Sequence, residues 1–314
     1  MTPSLPPLRV ALAFALVSSC AKYEQYAARA RVETLPDQVY VEGSSHPKHR
    51  LDLYLPKDHP KFPVVVFIHG GYWRAGDRNY YSGLTGLYGT IGLSLAERGI
   101  GVAVVSYRLA PEVTIERELE DVAQAVHFTL QAARVHGGDA SRVFLMGHSA
   151  GGHLALTLAF DDRWLRAAGV DPTEVAAVIA LSPVVDILDM AEKNDVAFNA
   201  DVTDRVFGRD RSTFAAFSPV TYLHKDEPPA LLLLGEHDYP YLAAQVHKAA
   251  KRIEELGGRV QLEEIPGYTH EDIVRKVGDD DDRVSGRVAE LIDRIAHPSS
   301  LPATPMSDGG STAH

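Results

Sequence analysis

Apolar residues along this 314-residue chain follow two alternating rhythms. Continuous apolar runs at Pro63–Ile68, Gly101–Val105, Arg142–Met146, Ala176–Leu181 and Ala230–Leu234 predict strands, most of them buried on both faces, and the mixed stretch Val260–Ile265 is read as a further strand. Between them the spacing lengthens. Glu116 to Arg134 carries Leu119, Val122, Ala123, Val126 and Leu130 on one helical face, and Gly137-Gly138-Asp139 ends the pattern. Further helices are predicted over Gly152–Phe160, Tyr241–Leu256 and Asp272–Ile295. Strand, helix, strand, helix in succession implies a mostly parallel sheet with helices on both faces. An alternating pattern precedes it. Val39-Tyr40-Val41, a polar turn at Gly43-Ser44-Ser45, then Leu51, Leu53 and Leu55 predict a hairpin.

Residues 184–222 interrupt the rhythm with scattered aromatics at Phe198, Phe207, Phe214 and Phe217. An insertion there falls over the C-terminal edge of the sheet, so a small cap that shapes a pocket is expected. A helical excursion away from the site is the alternative. The expected organisation is a leader over 1–19, a tether over 20–35, one α/β domain over 36–297 containing the cap, and a disordered Pro-, Ser-, Thr- and Gly-rich tail over 298–314.

Candidate chemistry sits where strands end. The run Arg142–Met146 leads directly into Gly147-His148-Ser149-Ala150-Gly151. An apolar strand ending in G-x-S-x-G reads as a nucleophile elbow, a strained turn that presents a serine hydroxyl. The glycines let neighbouring backbone close around that turn. At background frequencies roughly one chain in ten of this length carries the pattern, so its companions decide. The strand Pro63–Ile68 ends in His69-Gly70-Gly71-Tyr72-Trp73, a loop whose backbone N–H groups suit an oxyanion hole. Ala230–Leu234 runs into Gly235-Glu236-His237-Asp238, and Val260–Ile265 into Pro266-Gly267-Tyr268-Thr269-His270. Ser149 is therefore the expected nucleophile, His270 the base and Asp238 the acid that orients it, in the chain order of α/β-hydrolases. The expected oxyanion donors are the N–H groups of Ala150, Gly71 and Tyr72. Asp186 is the alternative acid. His69 is expected to brace its loop and His153 to pack.

On HGGYW at 69–73, YRLAP at 107–111, GHSAGGHL at 147–154 and the GEHD…GYTH pair, the chain resembles α/β-hydrolase serine esterases. That group includes hormone-sensitive-lipase-like carboxylesterases, feruloyl-esterase-like proteins and kynurenine formamidases. The resemblance covers about residues 35 to 297 and implies an α/β-hydrolase fold with an eight-stranded, mostly parallel sheet. Tyr72 stands where hormone-sensitive-lipase-like enzymes usually carry a third glycine, and HGG followed by Tyr-Trp is more like kynurenine formamidases. Two activities follow from the resemblance. One is hydrolysis of short to medium acyl, or aryl, carboxylic esters, and the other is arylformamidase cleavage of N-formyl amides. A catalytically dead binding module on the same fold is a third reading, and the complete set of motifs counts against it. Tyr72, Trp73, Tyr80, Tyr81, Tyr239 and Tyr241 could form an aromatic rim, with Trp73 and Tyr239 as expected substrate contacts.

Charge and cysteine content narrow partners and location. A net charge of −11 argues against a nucleic-acid surface. The chain lacks a phosphate-binding glycine motif after a strand, so no cofactor is expected. No histidine pair has zinc spacing, and the run Asp279–Asp282 lacks the alternation of a calcium loop, so no metal is expected either. The single cysteine, Cys20, follows Arg9, the apolar run Val10–Val17 and Ser18-Ser19. This resembles a bacterial lipobox, which implies cleavage before Cys20, lipid attachment to it and anchoring to the cell-envelope membrane. An ordinary leader and a secreted protein are the alternative.

Overall fold

The strands pair into one eight-stranded sheet, in the spatial order Val32–Val39, Arg50–Pro56, Gly101–Val105, Phe62–Ile68, Gly138–His148, Val175–Leu181, Ala230–His237 and Val260–Thr269. The computed structural model describes residues 31–79 and 87–296. The strands are β1 (Val32–Val39), β2 (Arg50–Pro56), β3 (Phe62–Ile68), β4 (Gly101–Val105), β5 (Gly138–His148), β6 (Val175–Leu181), β7 (Ala230–His237) and β8 (Val260–Thr269). β1 pairs with β2 and β2 with β4 antiparallel, and the remaining neighbours are parallel. The longer helices are α1 (Leu87–Ala96), α2 (Ile115–His136), α3 (Ala150–Phe160), α4 (Pro240–Glu255) and α5 (Ser285–Ala296).

Side chains alternate across the sheet as a strand's two-residue period requires. In β3, Val64, Val66 and Ile68 join a core with Leu119 and Val122 of α2, Leu154 of α3 and Val246 of α4. Val65 and Phe67 face the other way, toward Ile91 of α1 and Val288 of α5. Burial on both faces explains why the central strands read as unbroken apolar runs. Parallel strands also place their C-terminal ends on one edge, where an open α/β sheet carries its site.

Three boundaries differ from expectation. The sheet begins at Val32, inside the segment read as a tether. β1 holds Glu33, Pro36 and Asp37 and is largely exposed, so it carries no apolar alternation. The Val39-Tyr40-Val41 run is instead the strand's end, where the Tyr40 hydroxyl donates toward the carbonyls of Lys48 and Ser106. The helix predicted over Asp272–Ile295 is broken into Asp272–Arg275 and α5. The acidic run makes the break. Asp282 accepts hydrogen bonds from the N–H groups of Gly278, Val284 and Ser285, so it closes one turn and opens the next helix. The leader, Cys20, the rest of the tether, Tyr80, Tyr81 and the tail lie outside the described residues.

Candidate active site

Ser149 sits between β5 and α3 with φ 53° and ψ −117°, a conformation that L-residues avoid. The two elbow glycines make it possible. A Cβ on Gly147 would lie 2.2 Å from the carbonyl oxygen of Gly151, and one on Gly151 would lie 2.2 Å from that of Ile68. The turn is thus clamped between its own glycines and the end of β3. The Ser149 N–H donates to the Leu181 carbonyl at 2.9 Å, which ties the elbow to β6. Ala150 is the first residue of α3, so its N–H has no acceptor within the helix.

The loop after β3 lies against this elbow. A Cβ on Gly70 would come within 2.9 Å of the His148 carbonyl oxygen and 3.3 Å of the Ser149 Cβ. Gly71, Tyr72 and Trp73 all have positive φ, at 124°, 56° and 59°. The Gly71 carbonyl accepts the N–H groups of Arg74 and Ala75, which closes the turn. His69 supports it from behind. Its ring stacks on Tyr107 at 4.4 Å, and its Nδ1 donates to the Gly70 carbonyl at 2.8 Å. Burial lowers its pKa to about 4, so the ring is neutral.

β7 and β8 bring the expected acid and the expected base together. The two strands pair in parallel with His237 opposite Thr269, so Asp238 and His270 follow side by side. His270 Nδ1 donates to Asp238 Oδ1 at 2.9 Å. That oxygen also accepts the Tyr239 N–H at 2.7 Å, and Oδ2 accepts the Ser182 hydroxyl. Burial pushes the Asp238 carboxyl up, but the hydrogen bonds from His270, Ser182 and Tyr239 outweigh it and hold the group below its ordinary range. His148 Nε2 donates to the His270 carbonyl at 2.9 Å. Burial, then the neighbouring His270, lowers the His148 pKa to about 3, so this brace is a neutral ring.

Ser149, Ala150 and His270 line one narrow cavity. Its walls are Val184, Met190 and Phe198 from the 184–222 segment, with Tyr239 and Tyr241 opposite. The free space is about 10 Å³, room for roughly one water. The 184–222 segment therefore reaches the site, as short helices at Ile187–Lys193 and Asp204–Phe207 joined by a π turn.

The remaining expected residues fall as follows. Tyr72 and Tyr239 stand at the rim, 46% and 39% exposed. Trp73 does not. It is 1% exposed, because its positive φ turns the indole inward beneath the loop. There its Nε1 donates to His153 Nδ1 at 3.2 Å, and its ring meets Phe207 edge-on at 4.9 Å. Trp73 thus stands away from the rim but still lines the cavity beside Ser149. His153, expected to pack, is a polar link whose Nε2 donates to the Phe217 carbonyl at 2.7 Å. Asp186 caps the helix at Ile187 by accepting the Asp189 N–H, and it is Asp238 that meets His270. Ser182 and the wall residues Val184 and Met190 carry no signal in the sequence that marks them as part of the site. Among the described residues no group of three or more His, Cys, Asp or Glu could hold a metal ion.

Sheet order, elbow and strand-end residues are those of an α/β-hydrolase of the esterase kind. A profile of the BD-FAE family matches residues 51–252, and the chain belongs to that family. It is 29% identical over 265 residues to the isoprenylcysteine α-carbonyl methylesterase of Arabidopsis thaliana, covering 79% of this chain and 58% of that one. The chain thus spans less than two thirds of that relative's length. It is 26% identical over 256 residues to the kynurenine formamidase of Salmo salar, covering 81% and 80%. Among solved structures, an inhibited esterase B from Lactobacillus rhamnosis superposes with a TM-score of 0.73 at 23% identity, covering 91% and 96% of the two chains.

Proposed function

We propose that this hydrolase cleaves carboxylic esters with a small acyl group through a covalent acyl-enzyme on Ser149. The observation that carries the reading is the Asp238–His270 hydrogen bond at 2.9 Å, with His270 lining the same cavity as Ser149. His270 takes the Ser149 proton as the hydroxyl oxygen attacks the carbonyl carbon, and gives it to the departing alkoxide. Asp238 holds the imidazole with Nδ1 protonated, which leaves Nε2 as the base, and stabilises the imidazolium. The Ala150 N–H, with those of Gly71 and Tyr72, receives the negative oxygen. Water then attacks the acyl-enzyme with His270 again as base.

Space supports the small acyl group. The cavity beside Ser149 is bounded by Val184, Met190 and Phe198, which leave little room for a long chain. Formamide hydrolysis is the second reading. A formyl group suits the same narrow space, and a kynurenine formamidase is among the relatives. The test is kcat/KM on one preparation for nitrophenyl acetate, butyrate and octanoate beside N-formylkynurenine. Acetate well above the other three supports the esterase, and N-formylkynurenine well above acetate transfers the chain to the second reading. We also propose that Cys20 is lipidated and holds the enzyme at a bacterial envelope membrane, where it meets scavenged esters. Mass spectrometry of the mature N-terminus tests this, and an unmodified Cys20 within an intact leader overturns it.

A further inference from the structure

Beside His270 the rim carries a carboxylate that the reaction does not use. Glu271 directly follows the base, and its Oε1 accepts the Tyr239 hydroxyl at 3.3 Å. The Tyr239 hydroxyl also meets that of Tyr72, so residues from three separate loops are tied across the mouth. The Tyr239 ring lies 4.9 Å from the His270 ring and stacks on Tyr241 at 6.1 Å with an interplanar angle of 21°. Phe198 meets Tyr72 edge-on from the other side at 6.1 Å.

Charge at this rim is unbalanced. The nearest cation along the chain, Arg275, is bound to Asp272 at 2.8 Å, and Arg74 beside Tyr72 is bound to Asp201 at 3.0 Å. Among the described residues Glu271 has no ion-pair partner. An exposed carboxylate flanked by partly exposed tyrosine rings is a cation-binding arrangement. The ring faces attract an ammonium through their quadrupoles, and the carboxylate adds a direct charge. The hydroxyl ties among Tyr72, Tyr239 and Glu271 hold these groups in place before a ligand arrives.

We propose that Glu271, Tyr239 and Tyr241 form a subsite for an ammonium group on the leaving-group side of the substrate. The side follows from chemistry. His270 must protonate the departing oxygen or nitrogen, so the leaving group lies toward the base, and Glu271 and Tyr239 are the residues adjoining it. The inference rests on the hydrolase reading and adds a substrate class, esters or amides whose leaving group bears a quaternary or protonated amine.

The test compares two acetates of one shape. Acetylcholine carries the charge, and 3,3-dimethylbutyl acetate replaces its nitrogen with carbon. In the wild-type chain kcat/KM for acetylcholine should exceed that for the neutral ester by about tenfold, as expected of a solvent-exposed cation site. Glu271→Gln should lower the ratio severalfold, leaving the share that the tyrosine rings supply, and Glu271→Lys should lower it further. Using the ratio cancels any shared effect on His270. A wild-type ratio near one, or the same ratio in Glu271→Gln, overturns the subsite while leaving the esterase intact. If neither ester is cleaved, it is the small-ester reading that fails. Calorimetric titration with tetramethylammonium then still decides, because equal binding by wild type and Glu271→Gln removes the subsite.

Discussion

Ser182 donates its hydroxyl to Oδ2 of Asp238, the carboxylate oxygen that does not face His270. It stands at the end of β6, with φ 47°, and so fills the gap between the elbow and the acid. The Asp238 side chain is fully buried, so a lost partner cannot be replaced by bulk water. Ser182→Ala should therefore lower stability by about 1–3 kcal/mol. It should also lower kcat by roughly ten- to a hundredfold, because the acid is freed to turn away from the base. Denaturant unfolding beside steady-state kinetics checks both, and a variant with wild-type kcat would show that His270 and Tyr239 suffice to hold the acid.

The elbow conformation separates two substitutions that chemistry alone treats alike. Ser149→Ala and Ser149→Gly should both abolish ester turnover. At φ 53° an alanine keeps the backbone strain and a glycine releases it. The glycine variant should be the more stable by about 1 kcal/mol or more, against the usual order of these residues. Thermal unfolding of the two, side by side, reads the difference, and equal midpoints would mean the turn is unstrained.

A buried acid behind the 69–73 loop should make stability fall with rising pH. Glu118 is fully buried; its Oε1 accepts the Ala110 N–H at 3.0 Å and its Oε2 has no hydrogen-bond partner among the described residues. Burial raises its pKa well above the ordinary value, the Ala110 hydrogen bond opposes this, and Asp121 adds to it. A raised folded-state pKa contributes stability that is complete below the unfolded value, about 4.3, and is lost as pH rises through the folded value. Glu118→Gln removes that dependence. The melting temperature of the variant relative to wild type should climb between pH 5 and pH 8, and parallel curves would count against the assignment.

Pocket width should respond to the wall that the 184–222 segment supplies. Phe198→Ala removes a ring that borders the cavity and meets Tyr72 edge-on. The ratio of kcat/KM for nitrophenyl butyrate over acetate should rise by roughly tenfold, the scale of a methylene or two gaining a hydrophobic site. An unchanged ratio would place the limit on acyl length at Met190 or Val184 instead.

Much of this arrangement is legible in the chain. Strands buried on both faces announce themselves as unbroken apolar runs, and Ser149 and Asp238 each follow one, whereas His270 follows the half-exposed edge strand β8, whose stretch Val260–Ile265 mixes apolar and charged residues. The strand at Val32 is not legible, because an exposed edge strand holding Pro36 and Asp37 lacks the alternation that marks a half-buried one. Ser182 is hidden for a different reason. It is an ordinary serine after a strand, and its role depends on β6 lying next to β7, a fact of topology. Trp73 misleads because its residue type suits a rim, while the positive φ that turns it inward leaves no trace in an L-residue's identity.

The wall and the machinery come from different stretches of chain. Val184, Met190 and Phe198 belong to one continuous segment, whereas the reacting groups stand on strand-end loops braced by His148, Ser182 and the elbow glycines. A hydrogen bond from His153 to the Phe217 carbonyl fastens one to the other. Divergence can therefore remodel one side of the cavity by replacing a single stretch of sequence, while Tyr239 and Tyr241 opposite stay in place, and the same seam offers an engineer a graft site that leaves the strand-end loops untouched.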